Sequence, residues 1–142
     1  MKLHVSATII FTVLVTTLLL CNTSSQAQIV HLQIGAKKLV AELASTQNAM
    51  ITGLSKTEHL SQNSGMLFIF PFTDFHCMTM KSTKIPLSLV FLDSDFKIIE
   101  TTNMQPLSNV NYCASKPASY AIEAAYNWFN GISDNTKVVI LK

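Results

Sequence analysis

The chain has 142 residues, a formal net charge of +2 and an apolar share of 49%, and all ten of its basic residues are lysine. Arginine's planar fork is the usual means of gripping phosphate or guanine bidentately, and the lysines at 37, 38, 56, 81, 84, 97, 116, 137 and 142 are too scattered to form a basic stripe. Nucleic-acid binding is therefore disfavoured.

The chain opens with Lys2, an apolar run from Ala7 to Leu20, and a polar stretch from Asn22 to Gln26 that ends in Ala27. Ser25 and Ala27 are the small residues that a signal peptidase needs before its cut. As a helix the apolar run would span roughly 21 Å, short of the roughly 30 Å hydrocarbon core of a bilayer. Residues 1–27 are thus expected to be a cleaved signal peptide, leaving 28–142 as a single periplasmic or secreted domain with no stable membrane span. Cys21 follows Leu20, where a lipidated cysteine normally follows a small residue, so it is expected to leave with the signal.

Ile29, His31 and Gln33 alternate with apolar neighbours up to Gly35, and Leu39, Ala41 and Leu43 resume the pattern, so two strands are expected around a Gly35-Ala36 turn. Between Ser45 and Leu54 the spacing becomes helical, with Ser45 or Thr46 as cap and Gly53 near the end. Met66–Phe70 is a compact apolar run that predicts a buried strand stopped by Pro71. Leu87–Leu92 and Phe96–Thr101 flank the turn-forming Asp93-Ser94-Asp95 and predict a hairpin. Ser119–Ala124 fits a strand or the start of a helix, Trp128, Phe129 and Ile132 suggest one or two helical turns, and Lys137–Leu141 reads as a closing strand. The expected class is α+β: a small β-rich domain with a largely antiparallel, curled or barrel-like sheet and one or two short helices.

Gly53-Leu54, Leu60, Gly65-Met66-Leu67-Phe68, Met80-Lys81-x-Thr83-x-Ile85-Pro86-Leu87, Phe91-Leu92-Asp93 and Tyr120-x-Ile122-Glu123 together resemble the domain-of-unknown-function family 192 over roughly Leu39 to Leu141. The resemblance implies a small, often exported domain whose strands curl about a compact core, and it carries no generally established reaction. Three positions depart from the family pattern: Thr79 stands for a tryptophan, Ser82 for an asparagine and Ser88 for an aspartate. An aspartate can act as a base or hold a metal, whereas a serine without a nearby base only hydrogen-bonds. Asn127 and Asn135 stand where the family tends to place glycine, and asparagine tolerates left-handed backbone well.

Four residues at family positions, Lys81, Thr83, Ser88 and Glu123, are candidates for a shallow polar pocket. Glu123 alternatively makes a structural ion pair with Lys81. The first functional reading is a non-catalytic module of the cell envelope that binds a small polar ligand or an envelope component, with no cofactor. A second reading takes His76, Met78 and Met80, which alternation would place on one strand face, as a copper(I) site of imidazole and thioethers; packing is the competing role. A third is an enzyme acting on envelope glycans, which would need a pair of converging carboxylates. Ser88, His59 and Glu123 could be imagined as a hydrolase set, but no nucleophile motif surrounds any serine.

Cys77 and Cys113 could form a disulfide worth about 3 to 4 kcal/mol, or join His76 as metal ligands; their spacing does not decide. Trp128 and Phe129 fit either the core or a sugar-stacking platform.

Overall fold

The computed structural model describes residues 27–141. The expected signal, apart from Ala27, lies outside the described residues. Alternation and a tight turn build the first hairpin: β1 (Ile29–Ile34) and β2 (Lys37–Ala44) pair antiparallel, Ile34 opposite Lys37. A two-residue loop requires positive φ, and Gly35 supplies it at 57°. Helix α1 (Gln47–Thr52) follows, shorter than the apolar spacing suggested. The Thr46 hydroxyl accepts from the Ala49 amide at 3.2 Å and caps its start. Gly53, with φ of 47°, ends it.

The next strand, β3 (Ser64–Asp74), lies parallel to β2, with Val40 opposite Ser64 and Ala44 opposite Phe68. Pro71 does not stop this strand, contrary to the sequence expectation. It falls beyond the last β2 pair and inside a register shift against the following neighbour, between Ile69 and Asp74, where no ladder hydrogen bond is asked of it. The extension is held by a 2.7 Å hydrogen bond between the Thr73 and Ser119 hydroxyls.

Four further strands follow in order: β4 (Cys77–Thr79), β5 (Leu87–Leu92), β6 (Ile98–Met104) and β7 (Asn111–Cys113). The chain then makes β8 (Ala118–Ala125) and β9 (Val138–Leu141). The expected hairpin is β5–β6, and the Asp93 carboxylate builds its turn by accepting from the Asp95 and Lys97 amides, both at 2.9 Å. The ambiguous Ser119–Ala124 segment is strand, and the expected closing strand is β9.

The main sheet runs β6-β5-β8-β3-β2-β1-β9, antiparallel except between β2 and β3, while β4 and β7 form a separate antiparallel pair. Its two ends meet at one corner: Lys97 and Lys137 form a bridge, and the Val138 amide donates to the Phe96 carbonyl at 2.8 Å. The sheet is therefore a curled half-barrel, and the domain is mostly β, with one short helix among the described residues.

No helix forms around Trp128. The segment is a run of turns, with the Trp128 amide donating to Ala125 and the Ile132 amide to Phe129, both at 3.0 Å. Positive φ at Asn127 (64°) and Gly131 (79°) breaks any helix there, and Asn135 is also left-handed at 63°. Trp128 and Phe129 are core rather than a platform: both are buried, packed edge to face, and the indole N–H donates to Asn63 Oδ1 at 3.1 Å.

Both faces of the sheet are covered. Inside the curl lie Leu32, Ile34, Leu39, Leu67, Val90 and Ile122 with Trp128 and Phe129. Across the sheet lie Phe68, Met80, Leu87, Leu89, Phe91 and Ala121. Every residue of β5 is consequently buried, the hydrogen-bonded Ser88 included.

The tightest point is Gly65, where a Cβ would stand 2.2 Å from the Glu123 backbone oxygen. Gly65→Ala is expected to cost at least about 3 kcal/mol or to prevent folding. Gly35→Ala, which meets nothing within 4 Å, should cost only about 1 kcal/mol through its positive φ. Urea denaturation of the two variants checks the difference.

Candidate functional site

Strand register decides which side chains share a face. Glu123 in β8 sits opposite Met66 in β3 and Leu89 in β5, so it points to the same side as Phe68 and Phe91, away from the curl interior. A cleft of about 530 Å³ opens there, with Glu123 and Phe68 on its floor. One wall is the end of α1 and the loop after it, residues 50–56; the other is β4 and the turn that follows, residues 77–79 and 81–83. Gly53 brings the first wall close to the floor, since a Cβ there would lie 3.5 Å from the Phe68 ring and 3.9 Å from Glu123 Oε2.

Glu123 is 4% exposed. Burial pushes its carboxyl from the usual 4.5 up to about 8, with neither an ion pair nor a hydrogen bond counteracting the shift. The ion pair present among the described residues is Lys84–Glu58 at 4.0 Å, between two exposed side chains, so the expected Lys81–Glu123 pair is not made. At neutral pH the carboxyl is mostly protonated, and a protonated carboxyl offers one donor and further acceptor capacity.

Of the four residues expected to form a pocket, Lys81, Thr83 and Glu123 line this cleft. Lys81 is exposed at the rim, while Thr83 is buried in the wall and accepts from the Leu107 amide at 2.9 Å through its carbonyl. Ser88 does not belong with them. It pairs with Ala124 in β8, one position away from Glu123, and therefore faces the opposite side of the sheet. There its hydroxyl donates to Asn103 Oδ1 at 2.5 Å, and Asn103 Nδ2 donates to Asn127 Oδ1 at 2.8 Å, which fixes the left-handed turn.

The hydrolase set is not assembled either, because Ser88 and Glu123 lie on opposite faces and exposed His59 borders a different hollow. Among the lining residues Glu123 is the single carboxyl. Asp93 holds its own turn and Glu100 accepts from the Ser115 amide.

His76, Met78 and Met80 have different surroundings. The His76 Nε2–H donates to the Phe72 carbonyl at 2.8 Å, and the ring stacks on Phe70 with centroids 3.8 Å apart. Met78 lines the cleft, and Met80 is fully buried among core residues. Cys77 and Cys113 face each other across β4–β7 and are joined as a disulfide, which ties one cleft wall to β7.

Sequence reasoning missed the other wall: Met50, Gly53, Leu54 and Lys56. The available signal was the short capped helix ending in glycine, placed between strands that prove to be parallel.

A family model described as Uncharacterized ACR, COG1430 (domain-of-unknown-function family 192) matches residues 30–140. The chain belongs to this family. No curated protein matches it. The solved structures that resemble this family 192 domain include the following two. One is a candidate transcription regulator from Sinorhizobium meliloti 1021, 26% identical, with a TM-score of 0.74 over 81% of this chain and 94% of that one. The other is a protein of unknown function from Novosphingobium aromaticivorans DSM 12444, 25% identical, with a TM-score of 0.72 over 80% of this chain and 85% of that one. Among the described residues no helix is long and apolar enough to cross a membrane.

The raised carboxyl has a consequence for stability. Folded protein holds the Glu123 proton more tightly than unfolded chain, so the contribution is full below about pH 4.5 and is lost as pH rises to about 8. Stability is expected to fall across that window by at most about 1.4 kcal/mol per pH unit from this group. Glu123→Gln should flatten this part of the profile, as read from urea midpoints at about pH 5 and about pH 8.

Proposed function

We propose that this domain is an exported, non-catalytic binding module that holds a small polar ligand in the cleft over Glu123. The observation that carries the reading is the Glu123 carboxyl: buried on the cleft floor, with burial alone setting its pKa. Among the described residues no fully buried side-chain polar atom lacks a hydrogen-bond partner, so the Glu123 carboxyl, which takes none from the described chain, keeps its contact open to the cleft and is suited to a partner from outside the chain. The walls mix apolar side chains, Met50, Leu54 and Met78, with hydroxyls from Thr52, Ser55, Thr79 and Ser82, a lining suited to a small ligand with polar groups.

Export is supported by the three-part leader pattern and by a disulfide between two exposed cysteines, a bond that persists in oxidising compartments. A single carboxyl in the lining favours binding over glycoside hydrolysis, which needs two. A regulatory role on DNA, as in the name of the Sinorhizobium meliloti protein, has little support here, since the chain lacks arginine and its described helix has six residues. Copper binding is less favoured because Met80 is wholly packed in the core and the His76 ring is already bonded and stacked.

Two measurements check the reading. Mass spectrometry of protein recovered outside the cytoplasm should show a chain starting at Gln28 and two hydrogens lighter than the dithiol. In a small-molecule screen followed by amide chemical shifts, responses should gather at Gly53, Met78, Lys81 and Thr83, and Met78→Trp, which narrows the cleft, should weaken them. Responses gathered at β9, or wholly unaffected by Met78→Trp, would refute the cleft as the site.

A further inference from the structure

The chemistry of the cleft narrows what can sit in it, given the binding role proposed above. Its depth and its mouth differ: the one carboxyl lies on the floor, while Lys56 and Lys81, the other titratable side chains in the lining, are exposed at the rim. The elements packed against the floor bring no further charge, since Met66 and Phe68 from β3 and Leu89 from β5 are apolar. A cationic ligand would have to pass two lysines and then ionise a buried acid. An anion could meet the lysines but would bring charge towards the carboxyl if it went deeper.

A neutral group that both donates and accepts avoids both costs. The protonated carboxyl presents an O–H donor and a carbonyl acceptor side by side, and the matching partner presents N–H and C=O side by side. Primary amides and lactams do so, whereas an ordinary trans peptide bond points the two in opposite directions.

We infer that the cleft takes its ligand by a primary amide or lactam edge seated on the Glu123 carboxyl, with an apolar body against Met50, Leu54 and Met78. The carboxyl O–H donates to the ligand carbonyl, and its carbonyl oxygen accepts from the ligand N–H; no bond is made or broken. The rim lysines then favour a neutral or anionic outer end and select against a second, positively charged one.

Three probes with one body test this: 3-phenylpropionamide, 3-phenylpropionate and 3-phenylpropylamine, titrated into the protein and followed by the amide signals of Gly53, Phe68 and Lys81. The amide is expected to bind tightest. Its affinity should be level below about pH 7 and weaken about tenfold by about pH 9, because only the protonated carboxyl can donate. Glu123→Gln keeps a donor and an acceptor and should bind the amide with no such pH dependence, whereas Glu123→Leu should lose binding while remaining folded, since it replaces a buried polar group by an apolar one. If the ammonium probe binds tightest and gains affinity as pH rises, or if Glu123→Leu binds the amide as well as the parent does, the amide assignment fails and the cleft remains a binding site. If none of the three probes moves those signals, the cleft reading fails with it.

Discussion

Parallel strands cannot be joined by a tight turn, and the sheet places β2 and β3 side by side and parallel. The chain must therefore leave the end of β2, cross one face of the sheet and return to the start of β3. That crossover is α1 and the loop after it, and the face it crosses is the one that carries Phe68 and Glu123. A hairpin at this point would have left the face open. With the crossover in place, a short helix ended by a left-handed glycine hangs over the sheet, and the space beneath it becomes a cleft rather than a flat surface.

The floor of the cleft is held by backbone geometry as much as by side chains. β3 and β8 approach so closely at Gly65 that a single added carbon would meet the Glu123 carbonyl. This contact also fixes the register, because Gly65 opposite Ala124 puts Met66 opposite Glu123. A slip of β8 by one residue would turn the carboxyl into the curl against Leu67 and Val90 and turn Ile122 out of it.

Much of the fold is legible in the sequence because its signals are local. The Gly35 turn, the Asp93 turn, the Thr46 cap and the asparagines at 127 and 135 each state a backbone geometry that the structure adopts. The misreadings come from non-local facts. Pro71 marks a strand end only if both neighbours still pair at that point, and here they do not. Trp128 and Phe129 mimic a helical stripe, but the left-handed residues around them turn the chain instead. The candidate site was legible to the same degree. Lys81, Thr83 and Glu123 converge as family positions suggested, whereas Ser88 was lost to a parity that only the β5–β8 register reveals.

A domain of this size keeps an acid under apolar cover at an energetic cost, and the cost depends on pH. Burial costs little while unfolded and folded chain both hold the proton, and the cost grows from about pH 4.5 until the folded carboxyl ionises at about pH 8. The disulfide acts on the same part of the molecule from outside the core. It closes a loop of 36 residues, worth about 3 to 4 kcal/mol on chain entropy, and it anchors the three-residue strand that forms the second cleft wall. That strand pairs only with β7 and belongs to no larger sheet, so the covalent tie does for this wall what the crossover connection does for the other. The cleft thus stands between a wall positioned by topology and a wall positioned by a covalent bond, with the one buried acid between them.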